Sequence, residues 1–174
     1  MANTFYKALG YPTGDSLVED EFVEYAGQCL KQANGRILLP VDAVIANAFE
    51  NPTEVKVAST KETPDGFQGF QGLDIGPETR KLFADAISKA KMVFWNGPMG
   101  VFEQDAYQAG TIAVCEAIKG LQGKAFTVCG GGDSAAAAKQ FGSRRRILWL
   151  SLRILRPLRP LWTLWQLRTL LRGF

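Results

Sequence analysis

The chain has 174 residues, 47% of them hydrophobic and 21% charged, with a net charge of +3, which suits one ordinary water-soluble domain. All 17 acidic residues and 12 of the 20 basic ones fall in residues 1–142, giving that part −5, while residues 143–174 carry +8 without an acid. An acidic body excludes a specific nucleic-acid surface there, because phosphate binding needs clustered Lys and Arg. Cys29, Cys115 and Cys129 form no C-x-x-C pair and the chain has no histidine, which excludes a zinc site of the usual kind. The N-terminal MANTFYKALG lacks a cationic segment followed by an apolar run, so a cytoplasmic protein is expected rather than a secreted one.

In chain order, Val18, Phe22, Ala26 and Leu30 recur every fourth residue, with acids toward the N-terminal end, and predict an amphipathic helix over residues 18–33 that Gly35 ends. The branched apolar run 36–46 reads as a buried strand interrupted by Pro40, and a short second strand is expected at 55–58. Residues 60–76, rich in Gly, Gln and Asp, predict a long loop. Pro77 stands where a first helical residue stands, with Leu82, Phe83, Ala86 and Ile87 on one face of the helix behind it. Further on come a strand at 91–95, a helix at 105–119, a strand at 124–129, and a helix starting at Asp133 or Ser134. The repeated order of strand, loop and helix predicts an α/β fold. It is expected to be an incomplete doubly wound, Rossmann-like parallel sheet with helices on both faces, whose ligands gather at the carboxyl ends of its strands.

After Gly142 the composition changes to a low-complexity segment of Arg, Leu and Trp, in which Leu recurs every third residue from 155 to 170. A period of three fits neither helix nor strand, and Pro157 and Pro160 interrupt any early helix. Two regions are therefore expected: a domain over 1–142 and an irregular, non-native tail over 143–174. The tail reads as a membrane-binding basic segment, a nucleic-acid arm or the translation of a shifted frame. Its charges leave no uncharged apolar run long enough for a transmembrane segment.

Two segments carry candidate chemistry. In FTVCGGGDSAAAAK (126–139) an apolar strand meets three glycines, an acid, a hydroxyl and an alanine-rich helix. Glycines let the backbone approach an oxyanion, the helix start attracts it, and an acid holds Mg²⁺, which makes Gly130, Gly131, Gly132, Asp133 and Ser134 candidates. A purely structural account, in which Asp133 or Ser134 caps the helix behind a tight glycine turn, fits the same residues. In VFWNGPMGVFE (93–103), Asn96 suits a phosphate and Glu103 ribose hydroxyls, although Asn96 and Gly97 also suit a turn and Glu103 a helix end.

Taken together, MANTFYKALG, LLPVDAVIA, GLDIGPET, VFWNGPMGVFE and GGGDSAAA resemble, in order and approximate spacing, the C-terminal half of phosphoglycerate kinase over residues 1–142. That resemblance implies a phosphotransferase of glycolysis, monomeric at full length, that moves a phosphoryl group between 1,3-bisphosphoglycerate and ADP to give 3-phosphoglycerate and ATP with Mg²⁺. It places Gly72 and Leu73 at the adenine pocket, Asn96 facing the phosphates, Pro98 and Val101 near the nucleoside, and Glu103 on ribose. Gly130, Gly131, Gly132, Asp133 and Ser134 surround the nucleotide phosphates, with Asp133 tied to the metal. The family's basic phosphoglycerate site and catalytic Arg have no counterpart in this sequence, nor does its Ser-Thr-Gly-Gly-Gly-Ala segment. The chain is therefore expected to bind ATP or ADP while being inactive and poorly stable alone, with 3-phosphoglycerate a partner only if the family's N-terminal domain is present. The alternative is a non-catalytic nucleotide-binding fragment whose basic tail binds anionic membrane or RNA.

Overall fold

The computed structural model describes residues 1–61, 67–142 and 148–150. The chain opens on α1 (Ala2–Ala8), which the sequence pattern does not announce. It is held by Tyr6, buried, whose hydroxyl donates to the Pro40 carbonyl at 3.0 Å. The next helix is shorter than expected: Asp20–Phe22 form a 3-10 turn and α2 covers Val23–Ala33. Ala26 and Ala33 are its buried positions, while Phe22 stays 48% exposed. Asn34, at φ 47, ends α2 in the left-handed region one residue before Gly35.

Of the expected strand over 36–46, only β1 (Asp42–Ala46) forms. Pro40 brings no N–H to a ladder, and its carbonyl is taken by the Tyr6 and Thr60 hydroxyls instead. β2 (Val55–Ser59) pairs with β1 antiparallel, Asp42 opposite Ser59 and Ala46 opposite Val55. β3 (Gln71–Ile75) lies inside the expected long loop and pairs antiparallel with the other edge of β1, with a register shift between Val44 and Ile45. The parallel sheet expected throughout is therefore confined to the second half of the chain. Residues 47–54, which join β1 to β2, are too few for the crossover that a parallel pairing needs.

From Pro77 onward strands and helices alternate. α3 (Pro77–Ser88), β4 (Met92–Asn96), α4 (Ala109–Gly120), β5 (Phe126–Gly130), α5 (Gly132–Gln140) and β6 (Leu148–Leu150) follow, with a 3-10 turn at Asp105–Tyr107 before α4. β4, β5 and β6 form a parallel sheet in that order, Asn96 opposite Gly130 and Val128 opposite Leu148. Each crossover carries a helix, as parallel neighbours require. The ladder thus runs past residue 142, where the composition changes. The readings of the tail beyond residue 150 lie outside the described residues. Among the described residues no helix is long and apolar enough to cross a membrane.

Two apolar clusters hold these layers. One joins Trp95, Phe102, Val114, Cys115, Ile118, Cys129, Ala137 and Ala138, and so ties β4 and β5 to α4 and α5. The other joins Val44, Ala46, Leu73 and Tyr107, with Val101 packed against it.

Candidate functional site

The carboxyl ends of β4 and β5 bring Asn96 beside the glycine triplet. A Cβ on either Gly130 or Gly131 would lie 3.2 Å from the Asn96 Oδ1, and on Gly130 also 2.9 Å from the Phe94 ring. Gly131 has φ 91 and ψ 149, a conformation reserved for glycine, and turns the chain from β5 directly into α5. The first turn of α5 receives no side-chain cap, and the Ala135 N–H makes the first intrahelical bond, to the Gly131 carbonyl at 3.2 Å. The amides of Gly132, Asp133 and Ser134 consequently point out of the helix start, where the backbone dipoles favour an anion. The Asp133 carboxylate stands exposed beside them.

Ser134 is 1% exposed, and its hydroxyl is turned inward. It accepts the Gly97 N–H at 2.6 Å and hydrogen-bonds Cys129, whose thiol burial pushes up to about 11 against that bond. The side chain expected at the phosphates is thus committed to the loop after β4, and only the Ser134 amide faces the open helix start. Sequence alone could not separate the two, since a serine in a first helical turn satisfies both readings.

Residues 97–101 form a strap between the two halves of the site. Gly97 is tied to α5 through Ser134, and its carbonyl accepts the Trp95 Nε1 proton at 2.7 Å. Met99 N–H donates to the Thr111 hydroxyl at 3.1 Å, and Val101 N–H to the Leu73 carbonyl at 2.9 Å. Leu73 and Val101 therefore meet over the second apolar cluster, Pro98 lies half-buried within the strap, and the exposed Glu103 follows it. Gly72 is fixed from the N-terminal segment, its N–H donating to the Ser16 hydroxyl at 2.9 Å. Thus the structure brings Asn96, Gly130, Gly131, Gly132, Asp133 and Ser134 together at one strand edge. Gly72, Leu73 and Val101 gather at the other end of the strap. Ser16 and Thr111, which position these groups, carry no sequence signal beyond being hydroxyls.

The three helices that follow strands treat their starts differently. At α3 the Asp42 carboxylate, reaching from β1, accepts the amides of Glu78 at 2.9 Å and Thr79 at 2.8 Å. At α4 the Asp74 carboxylate from β3 accepts the Gly110 amide at 2.6 Å. Each is a buried acid within an apolar stretch, which is the signal by which sequence could have flagged it. α5 alone of the three has no such carboxylate. No group of three or more His, Cys, Asp or Glu among the described residues could hold a metal by itself. One exposed carboxylate beside unpaired helix amides does fit a magnesium ion that arrives with phosphate oxygens and keeps several waters.

A parallel sheet with helical crossovers, whose strand ends converge on a glycine-rich helix start, defines an α/β protein of the kind that receives ligands at the carboxyl edge of its sheet. More narrowly, the chain belongs to the phosphoglycerate kinase family, whose model matches residues 1–152. It is similar to the phosphoglycerate kinase of Deinococcus radiodurans, 47% identical over 147 residues, which cover 84% of this chain and 35% of that protein. A Streptococcus sanguinis relative of the same name is 48% identical over 151 residues, 87% of this chain and 37% of the relative. Among solved structures, phosphoglycerate kinase from Coxiella burnetii superposes with a TM-score of 0.77 at 33% identity, over 86% of this chain and 38% of that one. The Pyrococcus horikoshii enzyme gives 0.65 at 28% identity, over 84% of this chain and 36% of that one. The chain thus spans little more than a third of the length of the relatives it matches, and the family match, like the β-ladder, continues beyond residue 142.

Proposed function

We propose that the chain provides the nucleotide side of a phosphoglycerate kinase, a cytoplasmic glycolytic phosphotransferase working between 1,3-bisphosphoglycerate and ADP. The observation that carries this reading is the uncapped start of α5, set against two neighbouring helix starts closed by internal carboxylates. The amides of Gly132, Asp133 and Ser134 hold the nucleotide phosphates, and Gly130 and Gly131 let them approach the backbone. Asn96 donates from its amide to a phosphate oxygen. Leu73, Val101 and Pro98, with Gly72, flank the base, and Glu103 accepts from the ribose hydroxyls. Asp133 would be the protein ligand of a magnesium ion, which would supply charge neutralisation at the phosphates. Phosphoryl transfer needs mainly positioning and electrostatic stabilisation, which a rigid strand edge and a fixed helix start contribute.

The property this reading assigns to the 174 residues themselves is nucleotide binding. Titration calorimetry with MgADP tests the reading. Wild type should bind, and the Glu103→Ala, Asp133→Ala double variant, folded by circular dichroism, should bind at least about tenfold more weakly. Equal affinity for the two proteins would overturn the assignment.

A further inference from the structure

We propose that Asp74 is a positioning residue of the nucleotide site, a buried carboxylate that fixes both the 97–101 strap and the start of α4 on β3. The inference rests on the nucleotide reading above and adds a residue that touches no ligand in that reading. The Asp74 side chain is fully buried, with Oδ2 accepting the Gly110 amide at 2.6 Å and Oδ1 without a hydrogen-bond partner among the described residues. Arg80 stands by, its guanidinium 3.8 Å from Oδ2.

Two glycines from different elements make room for this carboxylate. A Cβ on Gly100, in the strap, would fall 2.5 Å from Oδ1, and a Cβ on Gly110, at the start of α4, 2.1 Å from the same oxygen. The backbone on either side of the acid is engaged as well: the Leu73 carbonyl accepts Val101 N–H at 2.9 Å, and the Arg80 Nε donates to the Ile75 carbonyl at 3.1 Å. Strap, helix start and strand therefore meet at one carboxylate. An apolar side chain of the same shape would escape the desolvation that a buried acid suffers. What the acid adds is an anchor for the Gly110 amide, and with it the placing of the next residue, Thr111, whose hydroxyl accepts the Met99 N–H at 3.1 Å and the Gly100 N–H at 3.4 Å and so seats the strap. The positions of Val101 and Glu103 follow from that seating.

The test compares MgADP affinity and urea stability of the full 174-residue chain in three forms. Asp74→Leu keeps the branched shape and removes the acceptor; Asp74→Asn keeps an acceptor and removes the charge. The expected order is wild type tightest, Asp74→Asn about threefold weaker without loss of stability, and Asp74→Leu at least about tenfold weaker when assayed well below its unfolding transition. A folded Asp74→Leu chain that binds like wild type overturns the proposal. If Asp74→Leu does not fold, the decision passes to Asp74→Asn. Unchanged affinity there, or failure of Asp74→Asn to fold, makes Asp74 a residue of the fold alone and overturns the proposal too. Absence of MgADP binding in wild type instead overturns the nucleotide reading, and this inference with it.

Discussion

Ser134 and Asp74 illustrate how two polar side chains at the site act inward. The Ser134 hydroxyl holds the Gly97 amide at 2.6 Å inside the protein. Ser134→Ala leaves that half-buried amide without its protein acceptor, and unfolding by urea should register a loss of about 0.5–1.5 kcal/mol, the net worth of one intramolecular hydrogen bond. Asp74 works against stability through its charge. Burial raises its pKa above the ordinary 3.8, opposed by the Gly110 and Ile75 amides and by Arg80. The folded state therefore holds the proton more tightly than the unfolded chain. Its contribution to stability is fully present below 3.8 and is lost as pH rises through the folded value. Urea unfolding of wild type and Asp74→Asn across the mildly acidic range should show the variant gaining relative stability as pH rises; a difference that stays flat, or moves the other way, contradicts the raised pKa. At this scale the sequence was informative about which residues gather, since Asn96 and the glycines stand where apolar runs stop. It was silent about direction, because an inward and an outward serine have the same neighbours in the chain.

The elements divide by how local their causes are. α3 begins with Pro77 after Gly76, and β4 and β5 are compact apolar runs ending in Asn or Gly, so all three are legible from short windows. β3 is not, for it contains Gly72 and the buried Asp74 and owes its place to β1 and to the Gly110 amide. α1 likewise depends on a distant contact, Tyr6 to Pro40. The antiparallel direction of β1–β2 pairing follows from the short connection between the strands, residues 47–54, rather than from any residue in them. Helix starts give the element-scale test. Asp42 closes α3 through the Glu78 and Thr79 amides and also accepts the Thr79 hydroxyl, whereas Asp133 stands at an open start. Asp42→Ala should lower stability by about 1–2 kcal/mol, as loss of a helix cap does. Asp133→Ala should change it by less than about 1 kcal/mol, the scale of an exposed acid's interaction with the helix dipole. Thermal or urea denaturation of both variants separates a structural cap from a residue available to a ligand, and equal losses would remove that distinction.

Across the whole molecule, an antiparallel unit and a parallel unit are joined by α3, α4 and the 97–101 strap. The candidate site lies where the strap ties the Leu73 backbone to the α5 start. The most direct test of the central claim is a map of where MgADP binds, by two-dimensional NMR of the ¹⁵N-labelled chain. The amide signals expected to shift on saturation are those of Gly97, Val101, Gly131, Gly132 and Asp133, while those of α1 and of the amino ends of β4 and β5 should stay in place. Shifts concentrated away from the strap and the α5 start, or none at all from a folded chain, would contradict it.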